Sequence, residues 1–330
     1  MKIFYAHCVL LLFICTDASG QFQAFDETPY IAYSTPTGVG RSEKMIFEAR
    51  PTLKLPIYGN LNNDLLKGKK YSETVHIVFD PQFRMYDDNS LPVKMPSYRA
   101  FLSAGILRQI GDPNSPRALV SFTVEHGHYS DGQDGCVFGS SKDNDSLCKI
   151  YSAMADKINV AQMLNRSSGE YSTDFVRGKL KLCYLLDSIN AGCGPMMKNA
   201  LEVTLGYTRL VDRLLGFDIG GYDDYASKIY PMNQLYGELA FEEYYSCKSN
   251  RHYRLSFEYF YRPSDNSFVY AHNFSATAAY FFSFNLGFFV RGEYGQDSYN
   301  VRFVDKISRM MLGIAWSMND RLNWAPTLKF

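Results

Sequence analysis

The sequence has 330 residues, and its 34 lysines and arginines balance 34 aspartates and glutamates, so a zero net charge gives no electrostatic case for nucleic acid. Tyr (25) and Phe (24) are abundant against 2 Trp, and no segment after the N-terminus is apolar enough for a transmembrane helix. The length allows one large domain or two ordinary ones.

Taken in chain order, Lys2 precedes the mostly apolar run Ile3 to Cys15, and Ala18-Ser19-Gly20 puts small residues before Gln21. Residues 1–20 therefore read as a secretory signal, too short to span a bilayer comfortably. Beyond it, period-two alternation recurs almost everywhere and helical periodicity almost nowhere. In residues 45–57, Glu48, Arg50, Thr52 and Lys54 oppose Phe47, Ala49, Leu53, Leu55 and Ile57. In 71–87, Val75, Ile77, Phe79, Phe83 and Met85 oppose His76, Asp80, Gln82 and Arg84. Arg177, Lys179 and Lys181 oppose Val176, Leu180, Leu182 and Tyr184; Glu202, Thr204 and Thr208 oppose Leu201, Val203, Leu205 and Tyr207. In 251–262, Arg254, Ser256 and Glu258 oppose Tyr253, Leu255, Phe257, Tyr259 and Tyr261.

A β-sandwich shows the same alternation. Length separates the two, because most of these segments exceed the usual strand of soluble proteins and match the roughly nine to eleven residues that cross a bilayer at a tilt. Strands are expected near 27–36, 45–57, 71–87, 97–110, 117–130, 171–184, 199–210, 234–247, 251–262, 268–281, 285–295 and 306–318. That is an even set of twelve, as single-chain barrels of bacteria require. The connections 131–170, 211–233 and 296–305 are long, whereas 111–116, 248–250 and 282–284 are short; 58–70 and 185–198 are longer than the rule prefers at that end. The expected fold is all-β: a transmembrane antiparallel β-barrel of about twelve strands. Residues 21–330 form its single domain, in the bacterial outer membrane, with a long extracellular loop near 131–170.

One stretch stands out against this pattern. Even positions from 118 to 130 read Ala, Val, Phe, Val, His, His, Ser, an apolar face that ends in His126, His128 and Ser130. Residues i and i+2 of a strand share a face, so the imidazole of His128 can reach the hydroxyl of Ser130, the least a base needs to activate a serine. In a barrel that face meets lipid. The next strand opens with Asp174 on the same face, followed by Val176, Leu180 and Leu182. A carboxylate there is costly unless it is paired, and orienting His128 would pair it. His126 is read as an interfacial side chain with its polar tip toward water.

These residues resemble the outer-membrane phospholipase A family, whose mark is His-x-Ser-Asn-Gly followed on the next strand by Ser-x-Asn. Here the first motif reads His128-Tyr129-Ser130-Asp131-Gly132 and the second Ser172-Thr173-Asp174. Patchier similarity covers Thr28 to Tyr33, Phe47 to Ile57, Ser90 to Tyr98, Tyr294 to Gln296 and Arg309 to Asp320. The resemblance implies a Ca²⁺-dependent lipase that hydrolyses membrane phospholipid esters as a homodimer. It makes Ser130 the nucleophile, His128 the general base and Asp174 the orienting group. Two family asparagines are replaced by Asp131 and Asp174, and the loop between the motifs is far longer. Ser90 matches one serine ligand of the family's calcium, and the other falls at Glu170, still a hard oxygen ligand. Gln82 lies where the family has a dimer-contact glutamine, but the alternation turns it inward.

Five cysteines remain after residue 20: Cys136, Cys148, Cys183, Cys193 and Cys247. An oxidising exterior and closeness in sequence suggest that Cys136 and Cys148 are bonded. Two other readings stay open: a lipid A deacylase-like esterase, which also uses His-x-Ser, and a catalytically inactive porin-like barrel.

Overall fold

The computed structural model describes most of residues 28–316; residues 1–27, 317–330 and parts of several connections, chiefly 38–44, 88–92, 139–148, 191–194, 212–229 and 247–250, lie outside the described residues. The expected signal, residues 1–20, falls in that undescribed N-terminus.

Thirteen strand segments follow in order: β1 (Tyr30–Pro36), β2 (Met45–Arg50), β3 (Leu53–Tyr58), β4 (Tyr71–Tyr86), β5 (Ser97–Asp112), β6 (Ser115–Ser130), β7 (Ser172–Asn190), β8 (Pro195–Val211), β9 (Asn233–Ser246), β10 (Arg251–Tyr261), β11 (His272–Ser283), β12 (Leu286–Gln296) and β13 (Lys306–Trp316). Segments β2 and β3 are halves of one strand, since Ala49 faces Phe83 and Leu53 faces Phe79 in a single register on β4. The interruption falls at Pro51, which has no N–H to give the ladder. Every neighbour pairs antiparallel, and β13 returns to β1, so the wall is a closed twelve-stranded antiparallel barrel. Closure satisfies every strand edge, as a span in lipid demands. The sequence placed each of these strands. Its largest boundary error is β7, which runs to Asn190 rather than ending near 184. Irregularities between Leu185 and Ser188 break the alternation there and hide the strand's end.

The two faces separate as the alternation requires. Leu55, Ile77, Leu102, Phe122, Leu180, Leu205, Leu255 and Leu312 are exposed on the outside. This apolar band faces hydrocarbon and places the chain in the outer membrane. Inside, charge is paired. Glu48, wholly buried, accepts from Arg84 Nε at 2.6 Å and Arg309 Nη1 at 3.2 Å, and Tyr30 donates to it as well. Arg84 Nη1 reaches Asp297 at 2.7 Å and Arg309 Nη2 reaches Glu293 at 2.6 Å. Arg254 bridges Glu202 (2.6 Å), Glu242 (2.7 Å) and Glu238 (2.6 Å). Asp80 is held by Arg50 at 2.6 Å and Arg99 at 3.0 Å, and Glu125 by Lys179 at 2.7 Å and by Arg177. Each charge is affordable in the lumen only because a partner offsets its desolvation. Gln82 is buried on this inner side, as the alternation required, and so does not reach the position of the family's dimer contact.

At the outer end, long connections pack over the mouth. Gly135 bridges to Gly169 and Phe138 to Leu164, and Arg166 pairs with Asp305 beside the short 3-10 helix Asn300–Val304. Val137, Phe138, Leu164, Tyr230 and Phe303 join Tyr129 and Tyr171 in one buried cluster. The inward rings of the two strands that carry the motifs are thereby clamped beneath a cap. The Tyr129 and Tyr171 rings meet edge to face with centroids 4.9 Å apart. Cys183 is free and buried on the inner side; Cys148, Cys193 and Cys247 lie outside the described residues, as does the Cys136–Cys148 pairing expected from the sequence.

Candidate active site

Strands β6 and β7 form one hairpin whose outer ends carry both motifs. Its register sets His128 directly opposite Asp174 and Ser130 directly opposite Ser172. Gly127 lets β6 lie this close to β5, because a Cβ there would stand 2.2 Å from the Ala100 carbonyl oxygen. Gly132 ends the strand with φ +67°, a left-handed turn that glycine adopts without strain.

His128 Nδ1 lies 2.9 Å from Asp174 Oδ1. A carboxylate only accepts, so Nδ1 carries the hydrogen and donates it, and Nε2 keeps its lone pair. That is the tautomer a base needs to take a proton at Nε2. Asp174 is buried, and its Oδ2 has no partner among the described residues, whereas the His128 side chain is 33% exposed. The base is thus fixed from beneath and open on the outer wall. Below it, the outward face continues through Val124, Phe122, Leu180 and Leu182, all exposed apolar side chains. His126 bonds through Nδ1 to the Phe175 carbonyl oxygen at 2.9 Å and takes no part in this group.

The sequence placed His128, Ser130 and Asp174 on one face at the outer strand ends; the hairpin register sets His128 opposite Asp174 and Ser130 one row further out, opposite Ser172. It gave no role to Ser172, whose hydroxyl lies 3.5 Å from His128 Nε2. The imidazole therefore points across the hairpin to Ser172, and among the described hydrogen bonds it makes none to Ser130. Ser130 is two residues along the same strand face, and Ser172 lies across the hairpin. The cross-strand neighbour could be found only through the register, which depends on where the long 131–170 connection returns.

Asp131, next to Ser130, ties the two strand ends together. Its backbone N–H donates to the Tyr171 carbonyl at 3.0 Å, and its Oδ1 accepts the N–H groups of Gln133 and Tyr171, each at 3.1 Å. An asparagine oxygen would accept the same two bonds, so the exchange with the family motif preserves the turn. Burial pushes the Asp131 carboxyl up to about 7, against the pull of those N–H groups, and Glu170 pushes it further in the same direction.

The calcium expectation can be tested against these groups. Asp131 Oδ2 is buried and unpartnered among the described residues, and Glu170 is exposed nearby. Two carboxylates, one of them with an orphaned buried oxygen, are hard donors that suit Ca²⁺. Ser90 lies outside the described residues, and no cluster of three or more His, Cys, Asp or Glu is present among the described ones, so carbonyl or hydroxyl oxygens would have to complete the set.

No protein-family model matches the chain, and no curated protein matches it in sequence. Among solved structures it is similar to the outer membrane phospholipase of Salmonella typhi, a dimer with bound calcium, at 10% identity and TM-score 0.52, covering 88% of this chain and 90% of that one. It is likewise similar to outer membrane phospholipase A of Escherichia coli, at 11% identity and TM-score 0.51, covering 88% and 97%. At these identities the likeness shows the outer-membrane barrel fold.

Proposed function

We propose that the chain is an outer-membrane phospholipase, a serine hydrolase that cleaves acyl esters of phospholipids on the lipid-facing wall of its barrel. The observation that carries this reading is the His128–Asp174 pair at 2.9 Å, buried at its carboxylate and open at its imidazole, beside Ser130 at the outer end of a largely apolar face. An unpaired carboxylate on that face would be costly, and a structural ion pair would serve better in the lumen, where the other charges are paired.

In this reading Ser130 Oγ attacks the ester carbonyl carbon while His128 Nε2 takes its proton. Asp174 accepts the Nδ1–H throughout and stabilises the imidazolium that forms. The imidazolium then protonates the leaving alcohol oxygen as the carbon–oxygen bond breaks, leaving an acyl ester on Ser130. Water, deprotonated by His128, hydrolyses that ester and restores the serine. Ca²⁺ held by Asp131, Glu170 and Ser90 would stabilise the carbonyl oxygen's developing charge. The exposed side chains below the site meet the acyl chains, so substrate enters sideways from the membrane.

Two expectations accompany the proposal: residues 1–20 direct export and are removed, and the chain works as a homodimer. The decisive experiment reacts detergent-solubilised protein with a lipid phosphonate that esterifies active serines, then locates the adduct by peptide mass spectrometry. The adduct is expected on Ser130, and Ser130→Ala should abolish both labelling and hydrolysis. Label on Ser172 instead would move the nucleophile across the hairpin. No label and no hydrolysis would reject the enzyme.

A further inference from the structure

The outward face of β8 leads to a second functional group beside this site. From the inner end it reads Leu201, Val203, Leu205, Tyr207, Arg209. Val203, Leu205 and Tyr207 are exposed apolar or aromatic side chains, and Tyr207 OH donates to Asn233 Oδ1 at 2.6 Å. The face thus changes from hydrocarbon-facing to polar at Tyr207, which marks the water boundary. Arg209 stands one step beyond, fully exposed on the outer wall.

Arg209 differs from the arginines of the lumen, and unlike the exposed Arg108, Arg117 and Arg251 it stands at the outer end of its strand. Arg50, Arg84, Arg177, Arg254, Arg291 and Arg309 all point into the lumen and pair with carboxylates. The Arg209 side chain makes no hydrogen bond or ion pair among the described residues. Its position relative to the site is fixed by register: Arg209 faces Val176, Val176 faces His126, and Asp174 faces Val211. The Arg209 backbone is therefore two strands from that of Ser130, about 10 Å across the wall, two side-chain steps below the row of Ser130 and one below the row of His128 and Asp174. An arginine on a lipid-facing wall extends its head toward water, which here carries the guanidinium up to the level of that row. A phospholipid bears its phosphodiester only a few bonds from its ester carbonyls.

We propose that Arg209 binds the phosphate of the lipid whose ester meets Ser130, and so selects phosphate-bearing lipids over neutral esters. A guanidinium gives phosphate two parallel hydrogen bonds, and among the described residues no carboxylate pairs with that of Arg209. The inference rests on the hydrolase reading and deepens it by naming what recognises the head group.

The test compares wild-type protein, Arg209→Gln and Arg209→Lys in detergent micelles on a diacyl phospholipid and a diacylglycerol with the same chains. Arg209→Gln is expected to lower the phospholipid-to-diacylglycerol ratio of kcat/KM roughly tenfold, through KM, and Arg209→Lys to restore part of it. An unchanged ratio, or equal loss on both substrates, would overturn the proposal. A parallel arm measures binding of a non-hydrolysable dialkyl phospholipid and a neutral dialkylglycerol to the Ser130→Ala protein, with and without Arg209→Gln. If wild-type protein cleaves no ester yet Arg209→Gln still weakens the dialkyl phospholipid alone, the hydrolase reading fails and the phosphate site stands. Displacement of that lipid by millimolar inorganic phosphate would reassign Arg209 to free anions and overturn the lipid assignment.

Discussion

Replacing Asp174 with alanine removes the acceptor that lies 2.9 Å from His128 Nδ1. A hydrogen bond to a charged group contributes about 1.5–3 kcal/mol, and each 1.36 kcal/mol on the barrier is tenfold in rate. If the bond to Asp174 is stronger in the imidazolium-like transition state by that amount, kcat should fall roughly 10- to 150-fold, with KM nearly unchanged because Asp174 does not touch the ester. The barrel should keep its stability. Asp174 Oδ2 has no described partner to lose, and the His128 side chain, 33% exposed, can give its N–H to water. Asp174→Asn should recover most of the lost rate, since its amide oxygen accepts the same N–H. The assay is turnover of phospholipid dispersed in detergent, with unfolding of each variant followed in the same micelles. A kcat for Asp174→Ala within about twofold of wild type, with the variant folded, would refute the reasoning. It would make the His128–Asp174 pair a structural contact.

Chelation of Ca²⁺ should abolish hydrolysis and added Ca²⁺ restore it, with no change in barrel folding by circular dichroism; full turnover in excess chelator would reject the metal role. Glu48→Ala should destabilise the barrel by about 3–5 kcal/mol, because it strips buried Arg84 and Arg309 of a shared partner, and an unchanged urea midpoint would show that the lumen network contributes nothing. Cys136 and Cys148 are expected to form a disulfide across the outer loop, which alkylation before and after reduction, read by mass spectrometry, would reveal. Alkylation of both thiols without reduction would exclude it.

The division between what was legible in the residues and what was not follows from the range of each interaction. Alternation is a local property. Glu48 and Arg50 against Phe47 and Ala49 define two faces without knowledge of any neighbour, so the strand set and the division of each strand into two faces could be read directly. His128 and Ser130 share a face by the same rule, and Asp174 sits on that face at the start of the next strand. The weak point was also local in origin: the irregularities near Asp187 masked the end of β7.

Register and lumen pairing belong to the tertiary structure. Only closure of the β6–β7 hairpin around the long outer connection sets Asp174 opposite His128 and brings Ser172 within 3.5 Å of Nε2. Only the closed wall brings Arg84 to Asp297 and Arg254 to three glutamates, partners from strands or loops that no short window joins. It also separates Arg209 from those lumen arginines, because an outward arginine and an inward one look alike until the strand's parity is tied to a barrel. Period-two patterning states that two faces exist. Which face meets lipid, and which side chains meet one another across it, is decided when the strands pair and the sheet closes.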